Sequence, residues 1–191
     1  MKTVKVYCEN TGSYHEVGIY TTLKDLSDTI YPRTEASLPV LAALVDNKLK
    51  SLDYRNINPH KIRFIGYDHP DGRRTYIRSL CFVLQNVVRE MFPDKVLAID
   101  YSLPSGLYCE IQEPHAMEDG RPCRYFLTDE TIEAIEARMF QVIHEDIPFG
   151  KTMMSMEECC RVFESQNQVE KVNLLKTMGR FNYTVSTLDG T

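Results

Sequence analysis

Residues 77–94 read IRSLCFVLQNVVREMFPD. Apolar residues recur at Ile77, Leu80, Cys81, Leu84, Val87, Val88 and Met91, the i, i+3, i+4, i+7 spacing of a helix that buries one stripe. Pro93 follows the last periodic residue, where such a helix stops. Just upstream, Asp68-His69-Pro70-Asp71-Gly72 is polar, holds Pro and Gly and has no periodicity, so it reads as a boundary. Downstream, residues 96–101 and 107–111 read as strands joined by a turn over 102–106, with Pro104 and Gly106 as its markers.

On the N-terminal side, the first 66 residues read as short strands around one helix. Thr3-Val4-Lys5-Val6-Tyr7 alternates polar and apolar like an edge or half-buried strand. Asn10-Thr11-Gly12-Ser13 is turn chemistry, with Gly12 available for a positive φ, and residues 14–19 form the returning strand. Thr21 or Thr22 can cap a helix carrying Leu23, Leu26 and Ile30 on one side, which Pro32 ends. Residues 40–45 are a continuous apolar run that suits a strand buried on both faces, while its Ala and Leu content suits a helix equally. Asp46-Asn47 turns the chain into residues 48–52, and 61–65 supply a last strand. This order is a small α+β ubiquitin-like roll.

Further along, Thr128 is placed to cap a helix with Asp129 and Glu130 in its first turn. Ile132, Ile135, Met139, Val142 and Ile143 would form its buried stripe. Ser155 with Glu158 spells a capping box opening a helix through Val162 and Phe163. Another helix over about residues 169–178 ends at Gly179, and residues 181–186 make a final strand.

At 191 residues, 43% hydrophobic and 26% charged, the composition is that of a soluble globular chain with room for one medium domain or two small ones. No apolar run approaches the roughly 20 residues of a membrane span, and the N-terminus lacks a signal-peptide core. A cytoplasmic location and no membrane partner are expected. The six cysteines form no C-x-x-C pair, and adjacent Cys159-Cys160 suit joint ligation of one zinc poorly, so they read as reduced, mostly buried residues. Residues 1–66 carry 9 Lys+Arg against 7 Asp+Glu, and residues 67–191 carry 13 against 20. An acidic second half weighs against strong nonspecific nucleic-acid binding and leaves room for a basic patch on the first.

The helix at 77–94 resembles the editing-domain helix of threonyl-tRNA synthetases and their relatives. That pattern runs an arginine, then H-S-x-x-x-H in a similar apolar frame, closing on F-P-D. Ser79 and Phe92-Pro93-Asp94 match, while the two histidine positions hold Arg78 and Phe82. Imidazole can ligate a metal or shuttle protons near neutral pH, and neither a guanidinium nor a phenyl ring can. Gly106-Leu107-Tyr108-Cys109-Glu110-Ile111 is similar to the family's G-F-Y-Y-D-F-like strand. Ile132-Glu133-Ala134-Ile135-Glu136 through Glu145-Asp146-Ile147-Pro148-Phe149 is similar to its E-A-I-E…K-E-D-Y-P-F segment. The first 66 residues resemble the TGS domain, a β-grasp module of threonyl-tRNA synthetases, stringent-response synthetases and some small GTPases. The matching residues are Thr21-Thr22-Leu23-x-Asp25-Leu26, Ala42-Ala43-Leu44-Val45 followed by Lys48-Leu49, and 62–65. A second motif of the synthetases, C-R-G-P-H-like, does not occur before Thr191. The resemblance therefore implies an α+β chain with a TGS-like β-grasp domain over 1–66 and a linker over 67–73. A degenerate editing-like domain over 74–191 would follow, truncated at its C-terminus.

The same two modules precede the P-loop domain of bacterial uridine/nucleoside kinases. The resemblance thus implies a noncatalytic regulatory or ligand-binding N-terminal segment of such a kinase, without cofactor of its own. ATP and Mg would belong to a downstream P-loop kinase domain in the same polypeptide, marked by G-x-x-x-x-G-K-[ST]. The alternative is a tRNA- or RNA-binding module, since TGS domains are implicated in contacting tRNA, with Lys48, Lys50, Lys61 and Arg63 as its basic surface. A residual aminoacyl-ester hydrolase is a third reading, which the missing histidines disfavour.

No catalytic or metal-binding residue is expected. The five histidines, His15, His60, His69, His115 and His144, make no i, i+3 or i, i+4 pair, and His69 and His115 are read in loops beside prolines. Arg73, Arg74 and Arg78 crowd the start of the long helix, where guanidinium forks suit a nucleotide phosphate or other anion. The plainer account is that they pair with Asp68, Asp71 or neighbouring carboxylates.

Overall fold

The computed structural model describes residues 2–32, 38–56, 58–104, 106–118, 121–166 and 168–188, the side chains of His115, Glu118 and Glu170 excepted. The α+β chain divides into two compact units, Met1–Phe82 and Val83–Thr191.

In the first unit, β1 (Thr3–Cys8) and β2 (Ser13–Gly18) form an antiparallel hairpin, with Gly12 at φ 64° in its turn. The helix α1 (Leu23–Ile30) is capped by Thr22, whose Oγ1 accepts the Asp25 N–H at 3.1 Å. Then come β3 (Ala42–Val45), β4 (Lys48–Lys50) and β5 (Lys61–Ile65). They complete a sheet of order β2-β1-β5-β3-β4 in which β1 and β5 run parallel. One face of this β-grasp sheet packs with α1 around Val6, Cys8, Leu23, Leu26, Ala43, Val45, Ile62 and Phe64. The apolar run at 40–45 is thereby settled as strand. Asp46 and Asn47 both adopt positive φ, 47° and 62°, and turn β3 tightly into β4, and β3 is bonded on both sides.

The long helix α2 (Pro70–Met91) begins earlier than the periodicity predicts. Pro70-Asp71-Gly72, read as boundary and linker, forms its first turn, so only residues 67–69 separate it from Gly66. Proline suits a first helical position because its missing N–H would have no helical partner there. Gly72 is needed for a different reason. A Cβ on it would stand 1.8 Å from the Gly66 carbonyl oxygen, so the helix start lies against the backbone at the end of β5. The division between the units falls within α2.

The second unit contains β6 (Val96–Leu103), β7 (Gly106–Glu118) and β8 (Arg121–Arg124), antiparallel in that order. Helix α3 (Asp129–His144) follows, capped by Thr128, whose side chain accepts the Thr131 N–H. A hairpin of β9 (Phe149–Ser155) and β10 (Asn182–Leu188) encloses α4 (Met156–Ser165) and α5 (Val169–Met178) in sequence. Cys159, Cys160, Val172 and Leu175 form its core with Phe163, Tyr183 and Val185 against them. The capping box at Ser155 and Glu158 is present, and Gly179 closes α5 at φ 59°.

Several expectations need correction. Strands β8 and β9 went unread, and β7 runs on through Glu118, which puts the His115 backbone in a strand rather than a loop. The turn at 102–106 is narrower than expected, and its Ser105 lies outside the described residues, as do Thr191 and the His115 side chain. On α3 only Ile135 and Val142 are buried, while Ile132 and Ile143 are about half exposed, at 50% and 48%. The buried stripe is thus narrower than expected, with Met139 half-buried, and Arg138 binds the Glu90 carboxylate at 3.1 Å. No described helix is long and apolar enough to cross a membrane.

Candidate functional site

Helix α2 carries the two substituted histidine positions. Arg78 is exposed, Phe82 is half-buried, and Ser79 between them gives its hydroxyl hydrogen to the Thr75 carbonyl at 3.1 Å. Three of the chain's histidines make local contacts. His15 lies 2.9 Å from Ser13 Oγ and 3.0 Å from Thr11 Oγ1. The Nδ1 of His69 accepts the Asp71 N–H at 3.2 Å. His60 Nδ1 lies 2.5 Å from Asp46 Oδ2. The Lys61 backbone N–H and then His60 hold the Asp46 carboxyl below the usual carboxylate range. Among the described residues no group of three or more His, Cys, Asp or Glu side chains is arranged to hold a metal ion.

The four basic residues expected on one surface are divided by strand register. Residues paired across a ladder share a face, and successive residues alternate between faces. Lys48 pairs with Val45 and Lys50 with Ala43, both core-facing, and Lys50 Nζ sits 4.9 Å over the Tyr54 ring at the rim of that core. Arg63 pairs with Leu44 and Lys61 with Tyr7, on the opposite face. Expecting one basic surface from all four is thus corrected: Lys61 and Arg63 share a face, and Lys48 and Lys50 do not.

That outer face holds side chains the sequence reading did not single out. Tyr7 pairs with Tyr14 and Lys5 with Glu16, in phase with Lys61 and Arg63. The Tyr7 and Tyr14 rings lie 5.0 Å apart, Lys5 Nζ stands 4.8 Å over the Tyr14 ring, and Tyr14 is 65% exposed. Glu9 Oε1 lies 2.5 Å from Lys61 Nζ, and this hydrogen bond raises the lysine's pKa above its ordinary value. The face is therefore mixed: three cations, two of them matched by carboxylates, share it with the half-buried Tyr7 and the exposed Tyr14. Its signal was present in the sequence. In Thr3-Val4-Lys5-Val6-Tyr7 the tyrosine falls in phase with the lysine, on the side away from the valines.

At the start of α2, Arg74 binds Asp71 at 3.0 Å, as the plainer account had it for that residue. Arg73 instead lies with its guanidinium carbon 5.3 Å over the Tyr67 ring, and Tyr67 meets Tyr76 edge to face at 5.2 Å. Arg78 has no hydrogen bond or ion pair among the described residues.

Comparison with known proteins adds to this geometry. No family model matches the chain. It is 27% identical over 166 residues to a threonine–tRNA ligase of Desulforamulus reducens, covering 86% of the chain and 24% of the ligase. The threonine–tRNA ligase of Acetivibrio thermocellus is 25% identical over 169 residues, 87% of the chain and 24% of that protein. That of Clostridium kluyveri is 25% identical over 142 residues, 74% of the chain and 21% of that protein. The chain's homologues are thus threonyl-tRNA synthetases, and it spans about a quarter of the length of these relatives.

Proposed function

We propose that the chain is a noncatalytic RNA-binding module on a threonyl-tRNA synthetase scaffold, and that it meets tRNA through the outer face of the β-grasp sheet. The observation that carries this reading is that Lys5, Lys61 and Arg63 share a sheet face with the Tyr7–Tyr14 pair. Aromatic faces accept bases and cations accept phosphates, the combination used for single-stranded nucleic acid. The relatives' name, threonine–tRNA ligase, supports tRNA as the class of partner. Arg78 and Phe82, in place of the resemblance's histidines, support a role without ester hydrolysis.

In this reading residues 1–66 are a TGS-like β-grasp domain, 67–73 join it to the rest, 74–191 are a degenerate editing-like domain, and the location is cytoplasmic. The kinase-linked segment, with its downstream P-loop domain, ATP and Mg, is the second reading. It rests on the family resemblance alone, whereas the relatives reported above are tRNA ligases, which favours RNA.

The test is tRNA binding by fluorescence anisotropy across a salt series. Replacing Lys61 and Arg63 together by Gln should weaken binding several-fold and flatten the salt slope by about one, from Arg63, because Lys61 is offset by Glu9. Replacing Lys48 and Lys50 by Gln should do much less. Equal effects from the two pairs, or no tRNA binding at low salt, would sink the proposal.

A further inference from the structure

We propose that a cavity at the end of the β-grasp sheet binds a free α-amino acid as its zwitterion, Asp68 and the Pro39 carbonyl taking the ammonium and Arg63 the carboxylate. The proposal goes beyond the RNA reading and does not depend on it, although Arg63 serves both.

Strand β1 stops at Cys8, which pairs with Ile62, while β5 runs on to Ile65. Beside Phe64 one side chain replaces the missing strand: the Asn10 amide donates to the Phe64 carbonyl at 3.0 Å and accepts its N–H at 2.8 Å. At this end of the sheet lies a cavity of about 240 Å³, with Tyr31, Leu38, Val40, Arg63, Gly66 and Asp68 in its wall. Successive residues of a strand face opposite sides. Arg63 and Phe64 both line the cavity, so it opens at the end of the sheet and not under one face.

Two features of the wall call for opposite charges in one ligand. The first is a pair of oxygens over Gly66. A Cβ on that glycine would stand 3.0 Å from Asp68 Oδ1 and 3.0 Å from the Pro39 carbonyl oxygen. The two acceptors are thus no farther apart than twice that distance, within reach of two of the three N–H donors of one ammonium. The His69 N–H bond to the Gly66 carbonyl, 3.2 Å, closes the turn that carries Asp68. The second feature is charge left unpaired. Asp68 and Arg63 share the wall without pairing with each other, and neither has another ion-pair partner among the described residues. Other charges of the unit are spent: Glu9 binds Lys61 at 2.5 Å, Asp71 binds Arg74 at 3.0 Å, and Arg73 lies over the Tyr67 ring.

A phosphate or nucleotide would bring negative charge to Asp68, and a polyamine would bring positive charge to Arg63. A zwitterion suits both, and a guanidinium fork matches a carboxylate in shape as well as in charge. Size agrees. At ~30 Å³ per water the cavity has room for roughly eight, about the heavy-atom count of valine. Leu38, Val40 and the Tyr31 ring offer such a side chain apolar contact.

The experiment is calorimetric titration of the full chain with valine, isovalerate and isobutylamine, the last two being valine without its ammonium and without its carboxylate. Valine should bind about ten-fold more tightly than either analogue. Asp68→Asn and Arg63→Gln should each weaken valine about ten-fold, and Lys61→Gln should leave it unchanged. Asp68 is exposed, so Asp68→Asn should fold as the wild type does, and its tRNA binding should be intact. Valine binding that needs Asp68, without any tRNA binding, would support the site and overturn the RNA reading. Binding of tRNA with valine silent at about 10 mM, where even a Kd of ~1 mM gives near saturation, would overturn the site alone. Equal binding of valine and isovalerate, or an Asp68→Asn variant that binds valine like the wild type, would overturn it as well.

Discussion

Replacing Gly72 by Ala sets two effects of opposite sign against each other. Within a helix Ala is favoured over Gly by about 1 kcal/mol, so propensity alone predicts a more stable protein. The structure predicts the reverse. The new Cβ would stand 1.8 Å from the Gly66 carbonyl oxygen and 2.7 Å from its carbonyl carbon, where real contacts begin near 3.0 Å. The start of α2 would therefore have to retreat by roughly 1.2 Å from the end of β5. That retreat strains the His69 N–H bond to the same oxygen, 3.2 Å, and the Arg73 N–H bond to His69, 2.9 Å. Both clashing atoms are backbone and cannot swing aside as a side chain would. Overpacking of this kind costs about 1–3 kcal/mol. With the gain in propensity subtracted, a net loss of about 1–2 kcal/mol is expected at the upper end of that cost. With a urea m value of about 1–2 kcal/mol/M for so small a unit, the midpoint of its transition should fall by roughly 1 M. Urea titration of the whole chain by circular dichroism, fitted to allow a transition for each unit, measures this. Gly12→Ala is the control: nothing lies within 4 Å of its Cβ position, so only the strain of φ 64° is felt, about 1–2 kcal/mol. An unchanged or higher midpoint for Gly72→Ala would refute the close approach.

Further outcomes follow from named contacts. Asp46→Asn should destabilise the first unit at neutral pH. Because the folded Asp46 pKa is lowered, its contribution is complete above the unfolded carboxylate value and lost as pH falls through the folded one. The stability gap between wild type and variant should therefore close on acidification below the usual carboxylate range, and a gap constant with pH would contradict it. Ser155→Ala removes the acceptor of the Glu158 N–H at 3.3 Å and should cost about 1 kcal/mol. Faster amide exchange at Glu158 would report it, whereas unchanged exchange would show the cap to be idle. Tyr14→Ala should weaken tRNA binding about ten-fold by removing the exposed ring of the outer face, and salt dependence should be untouched because no charge is lost.

What was legible in the sequence was local. Thr22, one of two threonines offered as the α1 cap, the Asp46-Asn47 turn, the Ser155–Glu158 capping box and the Gly179 stop each act within a few residues, and the structure has them there. The misses have non-local causes. Pro114 and Pro122 spoke against strands, because proline cannot donate to a ladder. The structure accommodates both: Pro114 falls within the register irregularity between Glu113 and Met117, and Pro122 lies on β8, the edge of its sheet. Among the described residues strand β9 pairs with β10 alone, with two helices between them in the chain, so no short window announces it. The stripe on α3 is narrower than periodicity suggests: Ile135 and Val142 are buried and Met139 is half-buried, while Ile132 and Ile143 at its margins are about half exposed.

The candidate surfaces were half legible for a related reason. Composition marks a cation but not the face to which a strand or helix turns it. Lys48 and Lys61 look alike in the sequence, yet register sets them on opposite sides of one sheet. Arg74 and Arg78 also look alike, yet only Arg74 has a carboxylate within reach at i−3. Which cations remain available to a phosphate is decided by pairing, and pairing is a property of the fold. The consequence for RNA is specific. On the outer face Glu9 offsets Lys61 and Glu16 stands opposite Lys5, so the net attraction there is small, and stacking on Tyr7 and Tyr14 has to supply much of the affinity. Arg63→Gln should accordingly change the salt slope more than Lys61→Gln does, because Lys61 releases Glu9 rather than a phosphate counterion. Equal slopes for the two variants would show that the Lys61–Glu9 pair opens on binding and that the outer face carries its full charge.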